Sequence, residues 1–108
     1  SNPSSKLEVN GTFDLGTNGT QLNAIIKTTV NKDIASVASG DDVISDIFCT
    51  QLSNTGSVIV SPQTALTNRL LIAYARVSVA GTVEVKFCNE STGNINMGAM
   101  NYYITVIQ

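Results

Sequence analysis

The chain has no histidine and no tryptophan among its 108 residues. Without an imidazole, the Ser-His-Asp and Cys-His nucleophile systems are excluded, since both need a base that titrates near neutral pH. The usual zinc ligand sets go with them, because Cys49 and Cys88 alone are too few for a site. Charge is also scarce. Only 13% of residues are charged, where about a quarter is usual, and the net charge is −2. The basic residues Lys6, Lys27, Lys32, Arg69, Arg76 and Lys86 are scattered, with no run and no interleaved aromatics. A phosphate backbone is held by a clustered basic face, so no nucleic-acid partner is expected. No apolar run reaches the roughly 18 residues of a membrane-spanning helix, and no membrane insertion is expected. Two cysteines permit one disulfide, but so low a density suits two partly buried free thiols that pack as small hydrophobes.

What remains is apolar residues at 43%, ample for one core, with Ser, Thr and Asn carrying the polarity. A domain of this length buries about two-thirds of the surface its unfolded chain exposes. Residues 1–6 open with the polar, breaker-rich Ser1-Asn2-Pro3-Ser4-Ser5 and read as a flexible lead; 7–108 reads as a single domain.

Period-2 alternation between turn signals predicts strands. Leu7, Val9, Gly11, Phe13 and Leu15 alternate with polar residues, and Gly16-Thr17-Asn18-Gly19 follows as a turn. Leu22 to Val30 is a second run, closed by Asn31-Lys32-Asp33. Ile34 to Asp46 reads as a loop or short helical turn, broken by Gly40-Asp41-Asp42. Ile47 to Leu52 and Ser57 to Ser61 read as strands, the latter ended by Pro62, with a loop to Asn68. Leu70 to Val79 and Val83 to Asn89 form a hairpin. A two-residue loop would set Glu84 beside Val77. A three-residue loop, Val79-Ala80-Gly81, instead pairs Val77 with Val83 and Ala75 with Val85, and puts Gly81 in the left-handed position. Leu71, Ala73, Ala75, Val77 and Val79 then share one face. Asn101 to Ile107 is the last strand, with Tyr102, Ile104 and Val106 on one face, which ties the C-terminal residues into a sheet. No stretch has helical period. Seven to eight short strands predict an all-β, antiparallel, jelly-roll-like sandwich.

Site candidates are few. Asp41, Asp42 and Asp46 are close enough in sequence to offer oxygens to Ca²⁺, but they match no EF-hand spacing and read as a solvated turn. Gly16 and Gly19 fit no phosphate-binding loop. Asn10-Gly11-Thr12, Asn18-Gly19-Thr20 and Asn89-Glu90-Ser91 match the glycosylation acceptor, a short pattern expected by chance in a chain this rich in Asn and Thr. Tyr74, Tyr102 and Tyr103 are candidates for a sugar-stacking platform, although strand tyrosines are more often half-buried with a wet hydroxyl. No catalytic, cofactor-binding or metal-binding residue is assigned, and no cofactor is expected.

Gly56-Ser57-Val58-Ile59-Val60-Ser61-Pro62 resembles a G-D-x-V-x-V-S-P-P strand and turn. The run from Leu71 through Ser78-Val79-Ala80-Gly81-Thr82-Val83 to Asn89 resembles an A-x-V-S-A-A-x-T-V-x-V-x-x-x-N hairpin. Thr12-Phe13-Asp14-Leu15-Gly16 echoes T-L-D-F-G, and Tyr102 to Ile107 echoes W-x-V-x-V-I with Tyr in place of Trp. Together these resemble the small domains of tailed-bacteriophage virion proteins found in head fibres, decoration proteins and tail-associated proteins. The resemblance spans about Thr12 to Ile107 and departs from the pattern over Asp33 to Leu52. It implies a β-sandwich, often trimeric, placed on the virion among other virion proteins, with no catalytic residues to carry over. The expected role is therefore non-enzymatic: self-association and attachment. The alternative is a cell-surface or secreted carbohydrate-binding sandwich, and a host-surface glycan is the open partner.

Overall fold

A computed structural model of the chain describes residues 7–48, 53, 55–67 and 69–108, with the backbone alone at Phe48. The described residues form six strands and no helix: β1 (Ile25–Asp33), β2 (Asp42–Phe48), β3 (Ser57–Pro62), β4 (Leu70–Val79), β5 (Thr82–Asn89) and β6 (Ala99–Ile107). They make two three-stranded antiparallel sheets, ordered β1-β6-β3 and β2-β5-β4.

The two central strands carry the strictest alternation. On β6, Met100, Tyr102, Ile104 and Val106 are buried; on β5, Val83, Val85, Phe87 and Asn89 are. Flanking strands complete each inner row. Ile26 and Val58 sit beside Val106, and Thr28 and Val60 beside Ile104. In the other sheet Ile47 and Val77 flank Val83, and Ser45 and Ala75 flank Val85. The sheets meet where the Phe87 and Tyr102 rings pack edge to face, with centroids 6.0 Å apart and planes at 71°. Strands with one apolar face must bury it against a second layer, and here each sheet is the other's layer. Ile34, Val37 and Ile95, in the connections, close one end of the core.

The C-terminal residues enter a sheet as the sequence predicts, in its central strand. Pro62 closes an edge strand, where its missing N–H breaks no ladder. The hairpin register is also as expected, with Val77 opposite Val83 and Ala75 opposite Val85, and Gly81 has φ 84°. The loop is shorter than predicted. Val79 pairs with Thr82, and the extra residue is absorbed as an irregularity between Val77 and Val79. A second irregularity, between Ile72 and Tyr74, switches the buried face of β4. Leu70 and Ile72 point inward before it and Ala75 and Val77 after it, so Leu71, expected on that inner face, is exposed, and the shift after Val77 leaves Val79 exposed too. An extra residue shifts the phase of a two-residue repeat, which simple alternation cannot register.

Four further expectations are corrected. Among the described residues there are six strands, not seven to eight. The predicted first strand, Leu7 to Leu15, holds only an isolated bridge, Phe13 to Leu22. Asn31-Lys32-Asp33, read as closing the run at Val30, instead completes β1, because β6 extends back to Ala99 and supplies partners as far as Asp33. Asp42 to Asp46, read as loop, belongs to β2, where the ladder to β5 outweighs the poor strand propensity of Asp and Ser. The predicted strand from Ile47 continues to Phe48; residues 49–52 lie outside the described residues. So does Cys49, and with it the question of a disulfide; Cys88 is half-buried on β5 and bonds no cysteine among the described residues.

Candidate interaction surface

The side chains considered as sites are scattered by the fold. Tyr102 is fully buried in the core, Tyr74 stands on the outer face of β4, and Tyr103 on the outer face of the other sheet. They form no platform. Tyr102 is moreover a buried hydroxyl with no hydrogen-bond partner among the described residues. Burial, and secondarily the charge of Asp33, pushes its pKa above the usual tyrosine value. Asp41 accepts a bond from the Asp42 N–H at 2.8 Å, and Asp42 pairs with Lys86 at 3.5 Å. Among the described residues no three metal-ligating side chains stand together.

Of the glycosylation patterns, Asn89 is 1% exposed. Its Nδ2 donates to the Val37 and Gly93 carbonyls, both at 2.8 Å, and its Oδ1 accepts from the Ser91 N–H and hydroxyl at 2.8 and 2.6 Å. That amide is spent on joining two connections to the end of β5. The sequence flagged Asn89 for the wrong reason; only its place at the end of an alternating apolar row hinted at burial.

The outer face of β2-β5-β4 concentrates charge. Glu84 Oε2 accepts from the Tyr74 hydroxyl at 2.8 Å and from Arg76 Nε at 3.0 Å. The Tyr74 bond first, and Arg76 next, hold the Glu84 carboxyl below its ordinary pKa. Lys86 bridges to Asp42 and lies 6.0 Å from the centre of the Tyr74 ring. These groups satisfy one another and leave no obvious vacancy for a ligand.

The outer face of β1-β6-β3 differs. Its rows are Ile25, Ile107 and Ser57, then Lys27, Thr105 and Ile59, then Thr29, Tyr103 and Ser61. Ile25, Ile59 and Tyr103 are each about half exposed. The N-terminal arm, residues 7–15, extends this apolar surface. Leu7 is 78% exposed and Leu15 72%. Leu7, Val9, Phe13 and Leu15 share one open hollow with Ile25. The arm's reversal is built for glycine. At Gly19 a Cβ would collide with the Leu15 carbonyl oxygen, and Gly16 has φ 82°. The molecule measures 56 × 27 × 24 Å, longer than the roughly 33 Å of a ten-residue strand. Scattered exposed hydrophobics are ordinary; a connected run of them marks a surface meant to be covered.

Comparison of the chain with family models, with curated proteins and with solved structures finds no match.

Proposed function

We propose that this chain is a non-enzymatic structural domain that works by self-association, and that it serves on a tailed-bacteriophage virion in a head fibre, capsid decoration or tail-associated position. A homotrimer is the favoured state, with other virion proteins as further partners. The observation that carries self-association is the connected apolar surface of the arm and the β1-β6-β3 face, on a chain with little charge to keep copies apart. The strand order supports a shortened jelly roll. β1 pairs with β6 and β2 with β5, while β3 and β4 lie next in each sheet, a nesting that wraps one long antiparallel ribbon around a core. The virion assignment rests on the short sequence resemblances. The carbohydrate-binding alternative loses its main support with the dispersal of the three tyrosines.

Light scattering coupled to size exclusion tests the reading. A stable mass of three chains is expected, and a clean monomer at high concentration overturns it. For the virion assignment, portal, capsid and tail genes beside the coding sequence are expected; an unrelated neighbourhood counts against it.

A further inference from the structure

Residues 7–12 have the alternation of a half-buried strand, yet they make no hydrogen bond to any other described residue. Beside them runs a strand edge with the same deficit. Ala24 exchanges both backbone bonds with Gln108, each at 3.0 Å, so the even-numbered residues of β1 face β6. The N–H and C=O groups of Ile25, Lys27 and Thr29 therefore point to the open edge. On the arm, Phe13 exchanges its backbone bonds with Leu22, which turns Phe13, Gly11, Val9 and Leu7 toward a partner strand. An antiparallel match sets Gly11 by Ile25, Val9 by Lys27 and Leu7 by Thr29. In that register the arm's apolar side chains join Ile25 on the outer face.

The same register turns Glu8 to the side of Thr28 and leaves Asp14 beyond the paired stretch, so the match rests on backbone bonds and apolar side chains and not on charge. The arm's own β1 lies within reach, yet pairing stops at the Phe13–Leu22 bridge.

We infer that the arm of one copy adds as a strand to the β1 edge of a second copy, and that this exchange builds the assembly. The inference rests on the self-association proposed above. Addition to an open edge supplies affinity through backbone bonds and register through alternate side chains. Passing each arm to the next subunit is a head-to-tail contact, which closes as a ring and suits a trimer.

The test uses the full chain with Cys49→Ser and Cys88→Ser, in two versions, one carrying Val9→Cys and the other Lys27→Cys. Directly opposed strand residues have the Cα separation a disulfide requires. Co-expressed and oxidised, the two versions are expected to give a disulfide between chains; Glu8→Cys in place of Val9→Cys is expected to give at least tenfold less. Thr29→Pro removes one N–H from the open edge and none from the β1–β6 ladder, and is expected to lower the mass to that of one chain while melting remains cooperative. An oligomer that forms no such disulfide, or forms it only when both substitutions sit on one chain, overturns arm exchange and leaves self-association standing. A monomer throughout overturns both.

Discussion

The β2-β5-β4 sheet turns Asp42, Asp46, Glu84, Lys86 and Arg76 to solvent and ties most of them into a network with Tyr74. The β1-β6-β3 sheet turns out Ile25, Ile59, Tyr103 and threonines, and the unpaired arm lies at its β1 end. Inward, the two are alike: each central strand buries every second side chain, and Phe87 meets Tyr102 between them. The inner faces hold one domain together, so they must match. The outer faces are free to diverge, and here one is finished by its own charges while the other is left with apolar groups and an open edge. Covering a charged face would strip water from groups already paired, at a cost their attraction does not always return. Covering the neutral face removes apolar surface at little electrostatic penalty. The difference therefore favours the neutral face as the side that the proposed self-association would cover.

The largest expected effect breaks the likeness of the inner faces. Phe87→Ala removes a ring with no exposed surface and should destabilise the domain by about 3–5 kcal/mol. Tyr103→Ala, on the neutral outer face, should change the stability of the isolated domain by less than about 0.5 kcal/mol while weakening assembly. Urea unfolding at concentrations below and above the assembly threshold checks both. Equal losses for the two substitutions would mean that the outer face is already packed within one chain.

A smaller effect separates the two sides of the core. Tyr102 buries a hydroxyl with no partner, against the Phe87 ring. Tyr102→Phe keeps the ring and removes the unsatisfied group, so stability should rise by about 1 kcal/mol. The pH dependence follows the same group. Its folded pKa lies above the reference value of 10.0, so above that pH the unfolded chain releases a proton that the folded chain retains. Stability contributed by the neutral hydroxyl is whole below pH 10.0 and drains away as pH climbs toward the folded value. Denaturant midpoints measured from pH 8 to 11 should fall less steeply for Tyr102→Phe than for the native chain.

The legible parts of the fold were those where one strand announces itself. Val83, Val85 and Phe87, like Tyr102, Ile104 and Val106, alternate without interruption, and both sets are buried as read. Parts that depend on a partner were not legible. Asp42 to Asp46 is a poor strand by composition and becomes one because β5 lies beside it. The phase of β4 changes at an irregularity that leaves no mark in the Ile72-Ala73-Tyr74 sequence. The arm is the converse case: Leu7 to Leu15 has the pattern of a strand, and among the described residues it has no ladder beyond the Phe13–Leu22 bridge. The apolar residues of the candidate surface were visible in the sequence. Their exposure was not, because alternation gives two faces without saying which is covered.

The smallest expected effect tests the finished face. Glu84 receives the Tyr74 hydroxyl and Arg76, and its pKa is held down first by Tyr74 and then by Arg76. A carboxyl depressed on folding contributes stability above its unfolded value and loses it as pH falls through the folded one. Glu84→Gln should therefore be slightly less stable than the native chain at pH 7, and the gap should close as pH falls through the folded value and Glu84 itself becomes neutral. Because the cluster lies on the surface, the gap should also shrink in 1 M salt. Under the proposed arm exchange, which leaves the β2-β5-β4 face uncovered, assembly should be unchanged. A Glu84→Gln chain that lost its oligomeric mass would move the interface to the charged sheet and reverse the assignment of the two faces.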